Sequence, residues 1–154
     1  MSATATPTGA EPIGTLSSSG SFTGKVRHLK IASNYGTAIF YGDFVKTVAG
    51  GTVEKDSGTT ALTTTGVFMK MQGDASLAQT AIGNNVSIVQ TAGSTDIGRS
   101  KNAVDSSTIA ATTATLPLRI IDFVDGPDSS VGDAYTDVIV KFNVGHQYLN
   151  TTGI

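Results

Sequence analysis

The sequence predicts an all-β protein, a single β-sandwich or small barrel domain with an extended arm at each end. Three observations predict it. Charged residues make up only 14% of the 154 residues, and Thr, Ser and Gly fill much of the difference from the roughly 25% of an average domain. Stiff β-branched side chains such as Thr pack well on a pleated sheet. Segments with strand-like apolar patterns are separated by turns rich in Gly and Asp.

The clearest strand pattern covers residues 135–144. Period-two alternation gives a strand one buried face and one solvent-exposed face. The predicted buried face carries Val138, Val140, Phe142 and Val144, and the predicted exposed face carries Asp137, Lys141 and Asn143. Residues 116–124 form a second strong predicted strand. Its Pro117 stands near the start, where a sheet tolerates a missing hydrogen-bond donor.

The rest of the domain is predicted to be mostly extended. The further predicted strands are residues 25–32, 36–48, 66–71, 84–90 and 107–115, with a short strand around Val53. Residues 74–83 are predicted to form a short helix, because Leu77 and Ala81 recur at helical spacing. Residues 91–105 are predicted to be a surface loop. The predicted β-domain spans residues 25–145.

Residues 1–24 and 146–154 are predicted to be arms. The first is rich in Ser, Thr, Ala, Gly and Pro, so its burial alone would not offset its ordering entropy and it is expected to be flexible. Apolar side chains on such segments are expected to be buried by a partner, for example when an arm adds a strand to a neighbour's sheet edge. The candidate contacts in the arms are Ile13, Leu16, Phe22, His146, Gln147, Tyr148, Leu149 and Ile154. Folding of the tail onto its own domain is the alternative.

A short basic segment offers three further candidate contacts, Lys25, Arg27 and Lys30. One interpretation is an edge strand whose lysines discourage unwanted strand pairing. The other is a docking stripe for an acidic protein surface. The edge-strand interpretation is favoured, because charges at successive residues point to both faces of a strand and do not form a clean stripe.

The composition argues against several classes of partner. The net charge of −2 provides no basic face for nucleic acid. The chain has no cysteine, which excludes disulfides, thiolate zinc sites and thiol nucleophiles. No segment has the pattern of a signal peptide, and no apolar run approaches the length of a membrane span. We therefore expect a soluble product of the cytoplasm without a nucleic-acid or membrane partner.

The titratable residues do not predict catalysis. The two histidines, His28 and His146, are far apart in sequence, and no serine stands in a Gly-x-Ser-x-Gly elbow. The acidic cluster at residues 122–133 lacks the ligand spacing of a calcium loop, and its Asp-Gly-Pro-Asp run is typical of a turn. The sequence therefore predicts a non-enzymatic protein with no cofactor and no metal site. A small hydrolase is the weakest of the alternatives.

Several stretches resemble a family of small structural proteins. The most specific are Ile39 to Val45, with the pattern Ile-Phe-x-Gly-Asp-x-Val, Thr115 to Ile120, which reads Thr-Leu-Pro-Leu-Arg-Ile, and the His-Gln-Tyr run at His146 to Tyr148. With their flanks they make most of residues 29–154 similar to the capsid decoration or cement proteins of tailed bacteriophages, notably phages of aquatic bacteria. Residues 70–79 depart from that family, whose members carry an aromatic-rich insertion there. Contacts made by that insertion are not expected in this chain.

The resemblance implies a β-sandwich or jelly-roll-like module on the outer face of an icosahedral head, where it clamps neighbouring capsomers. The implied partners are the major capsid protein and further copies of the chain, as a dimer or trimer. The implied location is the outer surface of the virion capsid, and no catalytic residue is implied. A receptor- or glycan-binding virion module is the alternative. The absence of Trp and the presence of only four Tyr argue mildly against that alternative.

Overall fold

A computed structural model describes residues 4–15, 28–48, 50–56, 67–110 and 113–143. The described chain is nearly all β, which confirms the predicted fold class. Its strands are β1 (Glu11–Thr15), β2 (Val45–Val48), β3 (Thr52–Lys55), β4 (Val67–Gln72), β5 (Asn85–Val89), β6 (Ala103–Ala110), β7 (Leu118–Phe123) and β8 (Asp137–Phe142). A single turn of 3-10 helix covers Gln79–Ala81.

The strands form two antiparallel sheets. The large sheet has six strands in the order β1-β4-β8-β7-β5-β6, and β2 pairs with β3 in a two-stranded sheet. The large sheet curls, so that Gly73, just after β4, forms a bridge with Val104 of β6. The described strands do not close into a barrel. The arrangement is compatible with the β-sandwich prediction and not with the small-barrel alternative.

The alternation predicted for the last strand is present in β8. Val138 and Val140 are fully buried and Phe142 is nearly so, while Asp137 and Lys141 are only partly covered. On the neighbouring strand β7, Leu118 and Ile120 are buried on the same face of the sheet, opposite Phe142 and Val140. Asn143, which the pattern assigns to the exposed face, is buried. Val144 of the predicted buried face lies outside the described residues.

Asn143 is buried because its side chain is satisfied by the chain that precedes β7. Its Nδ2 group donates to the carbonyl oxygens of Ala114 (3.1 Å) and Leu116 (3.2 Å). Its backbone N–H donates to the carbonyl of Pro117 (2.9 Å). A buried amide that is fully hydrogen-bonded avoids most of its desolvation cost.

Part of residues 1–24, predicted to be a flexible arm, is a strand of the domain where the structure describes it. Residues 11–15 form β1, which pairs with β4 at the edge of the large sheet. Ala10 is buried in the hydrophobic core, and its N–H donates to the carbonyl of Gly42 (2.9 Å). The segment is polar, but its backbone finds partners more than thirty residues away, which local composition does not reveal.

The predicted helix over residues 74–83 is also wrong, apart from the 3-10 turn within it. Leu77 and Ala81 are buried at the expected spacing, but tertiary hydrogen bonds hold the backbone extended around Leu77. Its N–H donates to Thr136 Oγ1 (3.2 Å). Its carbonyl accepts the N–H of Gly132 (3.1 Å). These bonds to a distant loop override the local helical periodicity.

The two early predicted strands are shorter than expected. Within residues 25–32, the described part forms only a parallel bridge between Ile31 and Val53 of β3. Within residues 36–48, only β2 is a strand. The remainder is loop, in which Tyr41 N–H donates to Gly98 O (3.2 Å) and Asp43 N–H donates to Phe40 O (3.0 Å).

Candidate interaction surface

A shallow apolar groove of about 250 Å³ lies on the outer face of the large sheet, opposite the core. It crosses β1, β4, β8 and β7. Its apolar lining consists of Ile13, Phe68, Ile121 and Ile139, with Gly14 and Asp122 at its margins. We call this feature the outer groove. Apolar side chains that line a surface depression are typical of binding sites for other molecules.

Two β-bulges help to create the outer groove. The register of β1 against β4 shifts between Pro12 and Gly14, and Ile13 is the residue at the shift. The register of β7 against β8 shifts between Ile120 and Asp122, and Ile121 is the residue there. A bulge adds a residue and re-aims its side chain. Both bulges therefore contribute an isoleucine to a face that is otherwise mixed in polarity.

Charged residues border the outer groove. Lys141 lies opposite Phe68 in the register, and Asp122 lies opposite Ile139. Neither Lys141 nor Asp122 forms an ion pair with another described residue. At the other end of the same face, Lys70 forms an ion pair with Asp137 (2.8 Å).

A second apolar feature is a pair of exposed side chains on adjoining loops, Tyr41 and Ile97, with 59% and 69% of their surfaces exposed. The two loops are hydrogen-bonded to each other: Tyr41 N–H donates to Gly98 O (3.2 Å) and Ser100 N–H donates to Tyr41 O (2.8 Å). Within the second loop, Gly98 N–H donates to Ser94 O (2.9 Å). We call residues 94–99 the Ile97 loop. It presents its isoleucine on a backbone that is hydrogen-bonded at its base.

Arg99 ties the Ile97 loop to the edge of the large sheet. Its guanidinium lies 5.5 Å from the centroid of the Tyr41 ring, a cation–π contact. Its Nη1 forms a 2.6 Å ion pair with Glu11 in β1. Ile13 of the outer groove is two residues along the same strand. The ion pair therefore joins the Ile97 loop to the strand that supplies Ile13 to the outer groove.

A buried carboxylate fixes the neighbouring loop. The Asp43 side chain is 0% exposed and forms a 3.0 Å ion pair with Lys55. It also accepts hydrogen bonds from Ser100 Oγ (2.5 Å), Asn102 Nδ2 (3.3 Å) and the N–H of Phe40 (2.9 Å). A buried charge that is paired and fully hydrogen-bonded stabilises one arrangement of the groups around it. Asp43 thus connects the Tyr41 loop, β3 and the start of β6.

A third exposed apolar feature lies beside the small sheet. Lys30 O accepts the N–H of Val53 (2.8 Å), and Ala32 N–H donates to Val53 O (3.2 Å), so the segment continues the small sheet next to β3. Leu29 and Ile31 are both exposed. We call residues 28–31 the small-sheet edge. This position agrees with the edge-strand interpretation of Lys30, while its exposed apolar neighbours also suit docking.

The structure describes only two of the candidate contact residues predicted from the sequence. Ile13 lines the outer groove with three other apolar residues, and Lys30 is exposed on the small-sheet edge. The structure does not bring these two together. The other candidates lie outside the described residues: Leu16, Phe22, Lys25, Arg27, His146, Gln147, Tyr148, Leu149 and Ile154.

The acidic cluster at residues 122–133 forms turns. Asp122 Oδ1 accepts the N–H of Phe123 (2.9 Å), and Asp133 Oδ2 accepts the N–H of Ser130 (3.0 Å). In the chain between these two aspartates, Gly126 and Ser129 form an isolated antiparallel β-bridge. Within the described ranges, no three His, Asp or Glu side chains are grouped so as to hold a metal ion.

Sequence reasoning missed most residues of the outer groove and the Ile97 loop, although a signal was present. Ile139 stands between two buried valines, where alternation predicts a polar residue. Ile121 follows Ile120 and also falls on the outward side. Ile97 is an isolated apolar residue in a loop rich in Ser, Thr, Gly and Asp. Apolar residues at positions that the pattern assigns to solvent are the signal for an interaction surface.

Comparisons of the chain with protein-family models, with curated proteins and with solved structures give no match. In the part of the chain that the structure describes, no helix has the length and apolar character needed to cross a membrane.

Proposed function

We propose that this protein is a non-enzymatic virion structural protein that binds the outer surface of a tailed-bacteriophage head and cements neighbouring capsomers. Its partners are the major capsid protein and further copies of itself. The observation that carries the proposal is the presence of two exposed apolar surfaces on opposite sides of one β-domain. These are the outer groove with the neighbouring Ile97 loop, and the small-sheet edge.

The packing of the two sheets supports their opposite placement. Ile139 of β8 faces the outer groove, and Phe142 of the same strand faces the core. Phe44, which precedes β2, contacts Phe142 from the core side. The small sheet and its edge therefore lie on the side of the large sheet that is turned away from the groove. A unit with two such surfaces can bridge two partners, and repeated weak contacts on a lattice reinforce one another.

The small-sheet edge suits contact with the capsid. Ile31 is 55% exposed, and Leu29 and Lys30 beside it are also exposed. An apolar centre next to basic side chains fits an acidic protein surface, which steers association electrostatically. Lys25 and Arg27, from the same predicted basic segment, and the residues of the two arms remain proposed contacts with the capsid.

The test uses phage heads assembled without this protein. We expect the purified protein to co-sediment with such heads and to raise their temperature of disruption. A Leu29→Ser/Ile31→Ser variant should bind at least about tenfold more weakly, because buried apolar residues at an interface centre carry much of the binding energy. The matched control is Val131→Ser, which removes an exposed apolar side chain from a different loop and should bind like the wild type.

Failure of the wild-type protein to bind heads or to stabilise them would contradict the proposal. Equal weakening by the Val131→Ser control would show instead that general surface hydrophobicity, rather than the small-sheet edge, drives the association.

A receptor- or glycan-binding virion module is the second candidate, and the exposure of Tyr41 favours it. Glycan sites commonly use an exposed aromatic ring as a stacking platform. One contact of the Tyr41 ring is already made by Arg99, which leaves less of the ring free. Binding of the wild-type protein to a glycan array, lost in Tyr41→Ala, would favour this candidate over the cement function.

A further inference from the structure

We propose that the outer groove of one copy receives the Ile97 loop of a second copy, so that the chain self-associates through this contact. The proposal deepens the self-association that is part of the proposed function, since it names the surface and the partner segment. It concerns the purified protein without heads, and its test can therefore fail independently of the test of head binding.

The Ile97 loop has the properties of an inserting element. Ile97 is the most exposed large apolar side chain among the described residues, at 69%. The backbone on either side is fixed by the Ser94–Arg99 bridge and by the bond from Gly98 N–H to Ser94 O. A preorganised loop loses little conformational entropy when it binds. Because the loop is held in place and its isoleucine is exposed, it does not fill the groove of its own chain.

The outer groove offers a matching apolar lining. Phe68, Ile121 and Ile139 are only partly buried in the isolated chain, and Ile13 is exposed. Insertion of an isoleucine would remove apolar surface from water on both partners, which is the main favourable term in protein association. Three isoleucines, two of them at β-bulges, and one aromatic ring form a lining suited to a small branched side chain.

The charges beside the two features are complementary. Asp96 precedes Ile97 in the loop, and Lys141 borders the groove opposite Phe68. Lys101 follows the loop, and Asp122 borders the groove opposite Ile139. None of these four residues has an ion-pair partner among the described residues. The loop thus has one acidic and one basic neighbour, and the groove has one basic and one acidic neighbour. This match of charges favours a second copy over an unrelated partner.

The attachment of the loop to a strand that lines the groove favours a two-fold dimer. The Arg99–Glu11 ion pair holds the loop beside β1, and Ile13 in β1 lines the groove. In a two-fold arrangement each copy supplies one loop and one groove, so that the same contact forms twice. Two equivalent contacts make the interface larger than a single loop insertion would.

Sedimentation velocity of the purified chain tests the contact. We expect a dimer whose dissociation constant rises at least about tenfold in Ile97→Asp, because a buried interface anchor is replaced by a charge. Asp96→Lys and Lys141→Asp should each weaken the dimer, and the double variant Asp96→Lys/Lys141→Asp should recover most of the loss. Recovery in the double variant is not expected of substitutions that act only on folding. Val131→Ser, at an exposed site elsewhere, should leave the dimer intact.

Cysteine cross-linking provides a second readout that does not depend on affinity. The chain contains no cysteine, so a tagged Ile97→Cys copy mixed with an untagged Ile13→Cys copy can form only the disulfides that these positions allow. Mild oxidation should give the mixed disulfide, and Val131→Cys in place of Ile13→Cys should not. A wild-type chain that stays monomeric at its highest soluble concentration, or a dimer unaffected by Ile97→Asp, would overturn the proposal.

Discussion

Phe44 meets Phe142 edge to face, with ring centroids 5.6 Å apart and ring planes at 75°. Phe44 stands directly before β2, and Phe142 is the last residue of β8. Both rings are buried in the core. This contact attaches the small sheet to the inner face of the large one, and so holds the small-sheet edge in place relative to the outer groove.

Phe44→Ala should therefore destabilise the whole domain. Truncation of a buried Phe typically lowers the free energy of unfolding by about 3–5 kcal/mol, because it removes apolar burial and leaves a cavity. Urea denaturation monitored by circular dichroism measures the change. Tyr41→Ala is the control, since Tyr41 is exposed and loss of its contact with Arg99 should cost no more than about 1 kcal/mol. Equal effects of the two substitutions would contradict the assigned packing.

Two aspartates with buried side chains should contribute differently to stability. Asp43 is paired with Lys55 and accepts three hydrogen bonds, so Asp43→Ala should lower the free energy of unfolding by about 3–5 kcal/mol, as a buried lysine is left without its partner. Asp56 is fully buried, but both carboxylate oxygens lack a hydrogen-bond partner among the described residues. Asp56→Asn should therefore leave the stability unchanged or raise it, because the buried group is no longer charged.

Chemical denaturation of both variants, with Asp43→Ala/Lys55→Met as a third, measures these effects. The double variant should recover part of the loss in Asp43→Ala, because it removes the unpaired lysine charge. A large loss of stability in Asp56→Asn would show that its carboxylate is paired after all.

Gly42 should tolerate substitution much less well than Gly50. Both have positive φ, +89° and +86°, so alanine is strained at either position, at a cost of roughly 1–2 kcal/mol. A Cβ at Gly42 would also lie 2.6 Å from the carbonyl oxygen of Thr8, whereas a Cβ at Gly50 meets nothing within 4 Å. Gly42→Ala should thus cost about 1–3 kcal/mol more than Gly50→Ala, measured by thermal unfolding. Similar midpoints would mean that the N-terminal segment does not pack on Gly42.

Deletions at the two ends should have different effects. Removal of residues 1–15 deletes β1 and Ala10, and exposes the edge of β4, which is prone to pairing with other chains. We expect a fall of several degrees in the midpoint of thermal unfolding, since each kcal/mol corresponds to roughly 2–4 °C for a chain of this size.

Removal of residues 144–154 keeps Asn143 and its hydrogen bonds, and we expect that variant to stay folded but to bind heads more weakly. Unchanged head binding after this deletion would refute the role proposed for the C-terminal arm.

The sequence predicted the strands whose pattern is set by burial alone. In β8 the alternation of Val138 and Val140 with partly exposed residues is strong enough to give the strand and its inner face. The pattern in β5 and β7 is similarly local. Propensity and periodicity are informative where one face of a strand is buried and the other is not.

The sequence could not predict features that depend on distant partners. Ala10 is buried because its backbone bonds to Gly42, and Leu77 is held extended by bonds to Thr136 and Gly132. The bulges that turn Ile13 and Ile121 into the outer groove depend on the register between strands. The register between strands is fixed by tertiary packing, so the pattern of a single sequence does not predict where a bulge lies.

The most direct test of the proposed function is an electron cryomicroscopy comparison of phage heads assembled with and without this protein. The account predicts additional density on the outer surface of the shell, of a size that fits the β-domain, bridging neighbouring capsomers with the small-sheet edge turned toward the shell. Heads that show no difference on their outer surface, or that differ only at the tail or its fibres, would contradict it.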